Sequence, residues 1–481
     1  MAYKDLKDFV SALKHAGELK IIERPVDPYL EITEITDRVS KKQGPALLFT
    51  NVTGYKMPLL INTFGSQRRM EMAVETGSLD DIAAQIDDLL TPDIPKSIMG
   101  KLQMLPKVAR LADLAPKEVS KAACQEIVKT GDEATLDDLP ILTCWPEDGG
   151  PYITLGLTFT THPEKGTRNI GMYRLQKFDS KTLGMHWQRH KGGAEHYRVA
   201  EGKAQRLEVA IALGPDPAII YSATAPLPED ISELMLAGFL RRQKVEIVKC
   251  KTIDQWVPAN CQIALEGYVD PLERRREGPF GDHTGFYSLD EDYPVFHLTA
   301  ITHQRDPIYP TTIVGRPPME DGWLGKATER IFLPLIRKTL PEVVDIHLPV
   351  EGIFHNFCIV SIKKRYPAHA RKVMHALWGL GQMMFTKYII VVDEHANVHD
   401  MQEVIWRLGT ATDPKRDLEL AFGPTDVLDH AAQTPDMSGK LGFDATRKWP
   451  DEGFTGRWPN EIVMTEAVKT KVDGYWKELG L

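Results

Sequence analysis

Along the first hundred residues, apolar positions recur with two alternating periods. Leu6, Phe9, Val10 and Leu13 fall three or four apart, on one face of a helix that Gly17 closes. Asp27-Pro28 pairs a capping side chain with a proline of the first turn and predicts a second helix running to about Ser40. The short apolar runs Ala46–Val52 and Leu59–Asn62, bounded by glycine and polar residues, predict strands. Such alternation argues an α/β unit ending near residue 110, and the mixed polar stretch 111–140 reads as a crossing to the next unit.

From about Leu142 to Ile301 the pattern changes. Strand character appears in Ile153–Thr161, Asn169–Phe178, Leu207–Leu213, Ala218–Ala223, Val245–Cys250 and Gln262–Tyr268. One helix interrupts them, Ile231–Arg242, carrying Leu234, Leu236, Phe239 and Leu240. Many strands with few helices predict a barrel-like β domain. Beyond Thr311 the alternation returns, with Tyr388–Asp393 as a buried strand, Glu403–Leu408 as helix and Met464–Leu479 as a terminal helix. No internal repeat or low-complexity tract is present.

Composition narrows the partners. At 481 residues the chain needs two or three cores. With 58 basic against 67 acidic side chains the net charge is −9, which lacks the electropositive field that nucleic acid binding requires. The N-terminus places acids where a signal peptide needs a basic and then apolar run, and no apolar stretch reaches the roughly 20 residues that span a bilayer. Cys124, Cys144, Cys250, Cys261 and Cys358 are scattered and form no CxxC pair, so reduced core thiols and a cytoplasmic location are expected.

Three stretches carry candidate chemistry. The first joins Arg168-Asn-Ile-Gly-Met-Tyr-Arg174 to Met185-His-Trp-Gln-Arg-His-Lys-Gly-Gly193. Its cations and paired glycines suit a phosphate and Trp187 offers an aromatic wall; a solvated surface hairpin is the plainer reading. The second is Asp230-Ile-Ser-Glu233, which fits a capping box. The cap is the plainer reading; a carboxylate there could instead bind a metal with Asn169 and His190, a hard donor set that suits Mn²⁺ or Mg²⁺. The third, Glu277-Gly-Pro-Phe-Gly-Asp-His-Thr-Gly-Phe-Tyr287, embeds two carboxyls in an irregular loop beside aromatic rings. Such a pair tends to split into an acid and a base, unless the loop is simply a tight turn with exposed acids. Arg174 is then available to hold a substrate carboxylate bidentately.

Together, Asn-Ile-Gly-Met-Tyr-Arg, Trp-Gln-Arg-His-Lys-Gly-Gly, Glu-Ile-Val-Lys-Cys and Glu-Gly-Pro-Phe-Gly-Asp-His-Thr-Gly resemble the UbiD family of prenylated-FMN-dependent decarboxylases. Gly315-Arg-Pro-Pro-Met-Glu-Asp321 and Lys387–Asp400 extend the likeness over nearly the whole chain. The resemblance implies an N-terminal α/β domain (1–115), a central split β-barrel flavin-binding domain (116–310), a C-terminal α/β domain (311–450) and a tail (451–481) that makes oligomer contacts. It implies prenylated FMN, a divalent metal, Mn²⁺ or Mg²⁺, held by Asn169, His190 and Glu233, and a K⁺ ion nearby. Met172, Tyr173, Arg174, His186, Trp187, Gln188, Lys191 and Gly192 fall on cofactor-contacting stretches, and Lys387 matches a lysine reaching the same cofactor. Arg174, Glu277 and Asp282 take the places of the family's catalytic triad. Asp282 followed by His-Thr-Gly lies nearer the quinone-pathway members, which implies a 4-hydroxyaryl acid substrate. A flavin prenyltransferase as cofactor supplier, a homodimer or homohexamer, and loose membrane association with a prenylated substrate also follow from the likeness.

One geometric tension remains in this reading. Asn169 and Arg174 are five apart, so an ideal strand points them to opposite faces, and Gly171 is where a bulge could reverse this. Two rival functions fit parts of the pattern. Asn169, His190, Glu233, Asp282 and His283 could form a metal-dependent hydrolase site without flavin. The chain could also be a non-catalytic flavin-binding assembly protein.

Overall fold

The computed structural model describes residues 2–90, 114–188, 192–227, 231–432, 434 and 436–480. His190 and Lys191 therefore lie outside the described residues, as does Asp230. The first helix is Leu6–His15, capped by Asp5, with Leu6, Phe9, Val10 and Leu13 buried. The second begins at Glu31 rather than at the Asp27-Pro28 step, because Leu30 adopts a φ of 64° that breaks the turn. Strands Leu19–Ile22, Ala46–Phe49 and Leu59–Ile61 form a mixed sheet whose fourth strand is Tyr309–Pro310, from far along the chain.

The centre of the molecule is a closed antiparallel barrel of six strands. Ile263–Glu277, Leu207–Leu213, Tyr152–Thr161, Arg168–Lys177, Thr182–Met185 and Glu291–His303 follow one another around it, and the first pairs with the last. Closure removes the unpaired edges that such a sheet would otherwise expose. The predicted strand at Ala218–Ala223 is instead a helix, Pro217–Ser222. Asp216 caps it and Pro217 occupies its first turn, and every residue of it is buried, so no polar face marks its period.

A third sheet, ordered Val343–His347, Phe357–Ile362, Tyr388–Asp393, Met437–Asp444, Leu418–Pro424, carries its own core. Its central strand is the buried run predicted at Tyr388–Asp393. The expected terminal helix is shorter: Glu466–Asp473, followed after Gly474 by a 3-10 turn, Trp476–Leu479. All five cysteines are buried free thiols. No helix of the described residues is long and apolar enough to cross a membrane.

Candidate active site

The barrel strand Arg168–Lys177 runs without a bulge, so Asn169, Gly171 and Tyr173 point to one side of the wall and Met172, Arg174 and Gln176 to the other. The irregularity that Gly171 could have allowed lies instead on the neighbouring strand. Ile153 faces Leu175 and Gly156 faces Tyr173, so Thr154 and Leu155 together oppose Arg174. Gly171 serves a different need. A Cβ there would come within 2.5 Å of the Tyr173 ring, which lies over it.

On the Arg174 side the charged groups interlock. Arg174 donates from Nε to Glu277 Oε1 and from Nη2 to Glu277 Oε2, both at 3.0 Å, and from Nη1 to Asp282 Oδ2 at 2.5 Å. His186 Nδ1 lies 3.1 Å from Glu277 Oε2. The Phe280 ring sits 4.9 Å below the guanidinium. Glu277 is fully buried and Arg174, Asp282 and His186 nearly so. The bidentate edge that could have gripped a substrate carboxylate is thus occupied by Glu277, and that expectation is corrected.

Burial alone would raise both carboxyls. The His186 hydrogen bond and the Arg174 charge outweigh it at Glu277, whose carboxyl is lowered. At Asp282 the His283 hydrogen bond and Arg174 hold the carboxyl far below the usual carboxylate range. Burial and the neighbouring Arg174 charge push His186 down, which keeps it neutral. Arg174 stays charged because its two carboxylates overcome its own desolvation.

Two residues that sequence reasoning passed over fix the loop. Asp148 accepts from Gly281 N–H at 2.8 Å, and from the N–H groups of Cys144 and Trp145 at 3.0 and 2.9 Å. Gln176 donates to the Gly149 carbonyl at 2.7 Å and accepts from Gly278 N–H at 2.8 Å. The Asp148-Gly-Gly150 turn signal was the available clue for the first. Gln176 could have been found from its place two residues beyond Arg174 on the same face.

The other side of the wall gathers oxygen donors and backbone N–H groups. In the orientation that satisfies both partners, the Asn169 amide oxygen accepts from Ile170 N–H at 3.2 Å and Gly193 N–H at 3.3 Å. Ile170 N–H also reaches the Glu233 carboxylate, which brings Glu233 beside Asn169. Ser232, not Asp230, caps the helix Glu233–Arg241 and accepts from Leu234 N–H. Glu233 is therefore the first helical residue and not the third of a capping box. Burial pushes its carboxyl up to about 7, and among the described residues it forms no ion pair. Tyr173 meets Trp187 edge-on at 5.1 Å, and Trp187 stacks on Tyr197 at 6.3 Å.

These features fit a phosphorylated aromatic cofactor with a divalent cation. Trp187 Nε1 and His186 Nε2 are buried and have no hydrogen-bond partner among the described residues. A Cβ at Gly192 would lie 2.2 Å from the Asn169 side chain, and one at Gly193 would lie 2.6 Å from Trp187. Only glycines bring the N-terminus of helix Gly192–Gly202 this close, and such a terminus suits an anion. Asn169 and Glu233 offer hard oxygens, and burial disfavours the Glu233 charge that a cation would compensate. Met172, Tyr173, Arg174, His186, Gln188 and Asp282 line one cavity with Leu428 of the C-terminal sheet region. Lys387 is held by Asp429, with Nζ at 3.0 and 2.9 Å from its two oxygens. The hydrolase alternative loses two of its ligands, because Asp282 is committed to Arg174 and His283 to Asp282.

Comparison with known proteins agrees with this geometry. Residues 10–89, 117–317 and 322–445 match, in order, the N-terminal, Rift-related and C-terminal domains of 3-octaprenyl-4-hydroxybenzoate carboxy-lyase. An uncharacterized protein of Archaeoglobus fulgidus is 51% identical over 481 residues, covering 100% of this chain and 99% of its own length. Another, from Aquifex aeolicus, is 52% identical over 482 residues with the same shares of 100% and 99%. The UbiD-class enzyme HmfF of Pelotomaculum thermopropionicum, solved with FMN, superposes with a TM-score of 0.82 at 28% identity, over 98% of this chain and 100% of that one. Vanillic acid decarboxylase of Sedimentibacter hydroxybenzoicus, in closed form, gives 0.86 at 26% identity, over 100% of this chain and 99% of that one. Motif order, barrel and domain sequence agree from one end to the other, and the chain belongs to the UbiD family of decarboxylating carboxy-lyases.

Proposed function

We propose that the protein removes CO₂, reversibly and without oxidation, from a 4-hydroxyaryl or other unsaturated acid with prenylated FMN as cofactor, in the manner of a quinone-pathway enzyme. The observation that carries this reading is the buried Arg174 fork, which holds Glu277 and Asp282 together at the cavity. HmfF has also been solved with prenylated FMN, at 28% identity and a TM-score of 0.81. Asn169, Glu233 and His190 would hold Mn²⁺ or Mg²⁺ at the cofactor phosphate, with K⁺ close by. Met172, Tyr173, His186, Trp187, Gln188, Lys191 and Gly192 would surround the cofactor. Lys387 would reach it only by leaving Asp429.

Loss of CO₂ from an sp² carbon leaves an anion that no side chain can stabilise, and the prenylated flavin supplies that electron sink when bound. The protein's own task is then positional and protonic. Arg174 keeps Glu277 ionised and sets the orientation of Asp282. At rest Asp282 is a carboxylate. An entering acid anion is a like charge beside it, which raises its affinity for a proton. Asp282 so loaded delivers that proton to the carbon that CO₂ has left, and returns to the charged form opposite Arg174.

The tail is the proposed oligomer contact, in a homodimer or homohexamer, since it leaves Ile462, Val463, Met464 and Trp476 exposed. The composition and the absence of a spanning helix among the described residues support a cytoplasmic enzyme. Co-expression with a flavin prenyltransferase tests the reading. The purified protein should carry flavin absorbance and release CO₂ from 4-hydroxyaryl acids, whereas protein made without the prenyltransferase should release none. A colourless product, or a coloured one inert toward every acid of an aromatic panel, would refute it.

A further inference from the structure

Behind Asp282, three parts of the chain that are remote in sequence converge on one imidazole. His283 Nδ1 lies 2.9 Å from Asp282 Oδ1, the oxygen that Arg174 leaves free, and the His283 backbone N–H donates to the same atom at 2.7 Å. A ring nitrogen of His283, one of His355 and a carboxylate oxygen of Asp426 all lie within 4.8 Å of one another. His355 Nε2 is 3.2 Å from Asp426 Oδ2, and the His283 and His355 rings are 5.2 Å apart. Phe354 closes the site, its ring 5.8 Å from that of His283. His283 Nε2 is buried without a hydrogen-bond partner among the described residues.

The charges around this ring are of one sign. Asp282 comes from its own loop, Asp321 from the helix Glu320–Thr339 and Asp426 from the segment after Leu418–Pro424. His355, from the turn before Phe357–Ile362, is pushed down by burial despite Asp426 and is neutral. Arg174 stands beyond Asp282, and Asp429, paired with Lys387, beyond His355. An imidazole enclosed by three carboxylates and held on one of them is built to carry a positive charge.

Resting on the decarboxylase reading above, we infer that His283 is the proton store of the active site, a positioning residue that acts through Asp282. When the acid anion enters, the His283 Nδ1–H bond breaks and an Asp282 O–H bond forms, leaving His283 neutral. The Asp282 O–H bond then breaks as the product C–H bond forms. Once CO₂ and product have left, a proton from water in the open cavity passes to Asp282 and back to His283 Nδ1. One proton enters per CO₂ released, as decarboxylation of an anion requires. The resting charges keep the store loaded, and the charge of the entering anion is what drives the proton on to Asp282. Although burial opposes it, the Asp282 hydrogen bond and the charges of Asp282, Asp426 and Asp321 bring His283 up to about 9, so it is loaded at neutral pH while Asp282 is empty. Asp426 and His355 come from the C-terminal sheet region, so the store is complete only with that part of the molecule in place.

His283→Asn tests the inference in the flavin-loaded enzyme. Asn keeps a donor for Asp282 but cannot ionise. The expected result is a kcat at least about tenfold lower at pH 7, with KM and the bound-flavin spectrum unchanged. Wild-type kcat should fall as pH rises through about 9, and the variant should lack that limb. Wild-type kcat with the same limb in His283→Asn would show that the imidazole only orients Asp282, and would overturn the proposal. Should that variant lose its flavin, Asp426→Asn leaves every contact of Asp282 intact and removes one counter-charge. The limb should then move to lower pH by about one unit; an unmoved limb would overturn the proposal equally. A loaded wild-type enzyme that releases no CO₂ from any acid refutes the decarboxylase reading itself.

Discussion

Arg174 turns the edge formed by Nε and Nη2 toward Glu277, 3.0 Å from each carboxylate oxygen, and leaves Nη1 for Asp282. Of the two carboxylates, the one with no exposure at all receives the two-point contact. A planar guanidinium can make that division, and an ammonium cannot.

Removing the guanidinium should therefore cost more than activity. Arg174→Ala leaves Glu277 buried and charged without its partner, and the unfolding free energy should fall by about 3–5 kcal/mol. Urea denaturation at pH 7 measures it. Arg174→Lys should recover only part of the loss, since it restores the charge and not the fork.

Asp282→Asn keeps the side-chain shape and removes the acid. The kcat for CO₂ release should drop by about 10²–10⁴-fold while flavin absorbance is retained. Wild-type turnover in this variant would end the assignment of Asp282 as proton donor.

Much of this arrangement was legible before any coordinates, and the reason is local. Arg174, Glu277 and Asp282 lie in short stretches whose residue order is itself distinctive, and the Tyr388–Asp393 strand is a run of five apolar residues before its aspartate. What escaped was whatever depends on partners far along the chain. Nothing near Gln176 reveals that it grips Gly278. Nothing near His283 reveals Asp426, since their proximity follows from how the third sheet docks on the barrel. The helix Pro217–Ser222 escaped for another reason: a segment buried on all sides shows no period, and only its Asp-Pro start betrayed it. Glycine content allows a bulge at Gly171 but gives no sign of the one at Thr154–Leu155 on the neighbouring strand.

Glu233→Gln should separate metal from fold. The helix keeps its Ser232 cap, so stability should be little altered. Manganese retained after gel filtration, read by inductively coupled plasma mass spectrometry, should fall by at least about tenfold, with flavin loss accompanying it. Full metal occupancy in Glu233→Gln would remove this residue from the ligand set.

Stability should also depend on pH through His283. Its value is raised from 6.5 to about 9 on folding, so its contribution is fully present below about 6.5 and is lost as pH rises through about 9. The expected loss between pH 6 and pH 10 is roughly 3 kcal/mol, from urea titrations, and should be absent in His283→Asn. Glu277 and Asp282 act in the opposite sense. Their carboxyls are lowered on folding, so their contribution is present above about 4 and is lost as pH falls further.

The strand Tyr309–Pro310 stitches the end of the barrel segment into the sheet made by the first sixty residues. Two Cα pairings with Leu59 and Leu60 are enough to make that layer a joint product of the N-terminal strands and the end of the barrel segment. A gene fragment stopping at codon 90 would encode a sheet with a raw hydrophobic border, prone to self-association. Attempts to swap this layer between homologues should carry the segment around residue 310 along with it.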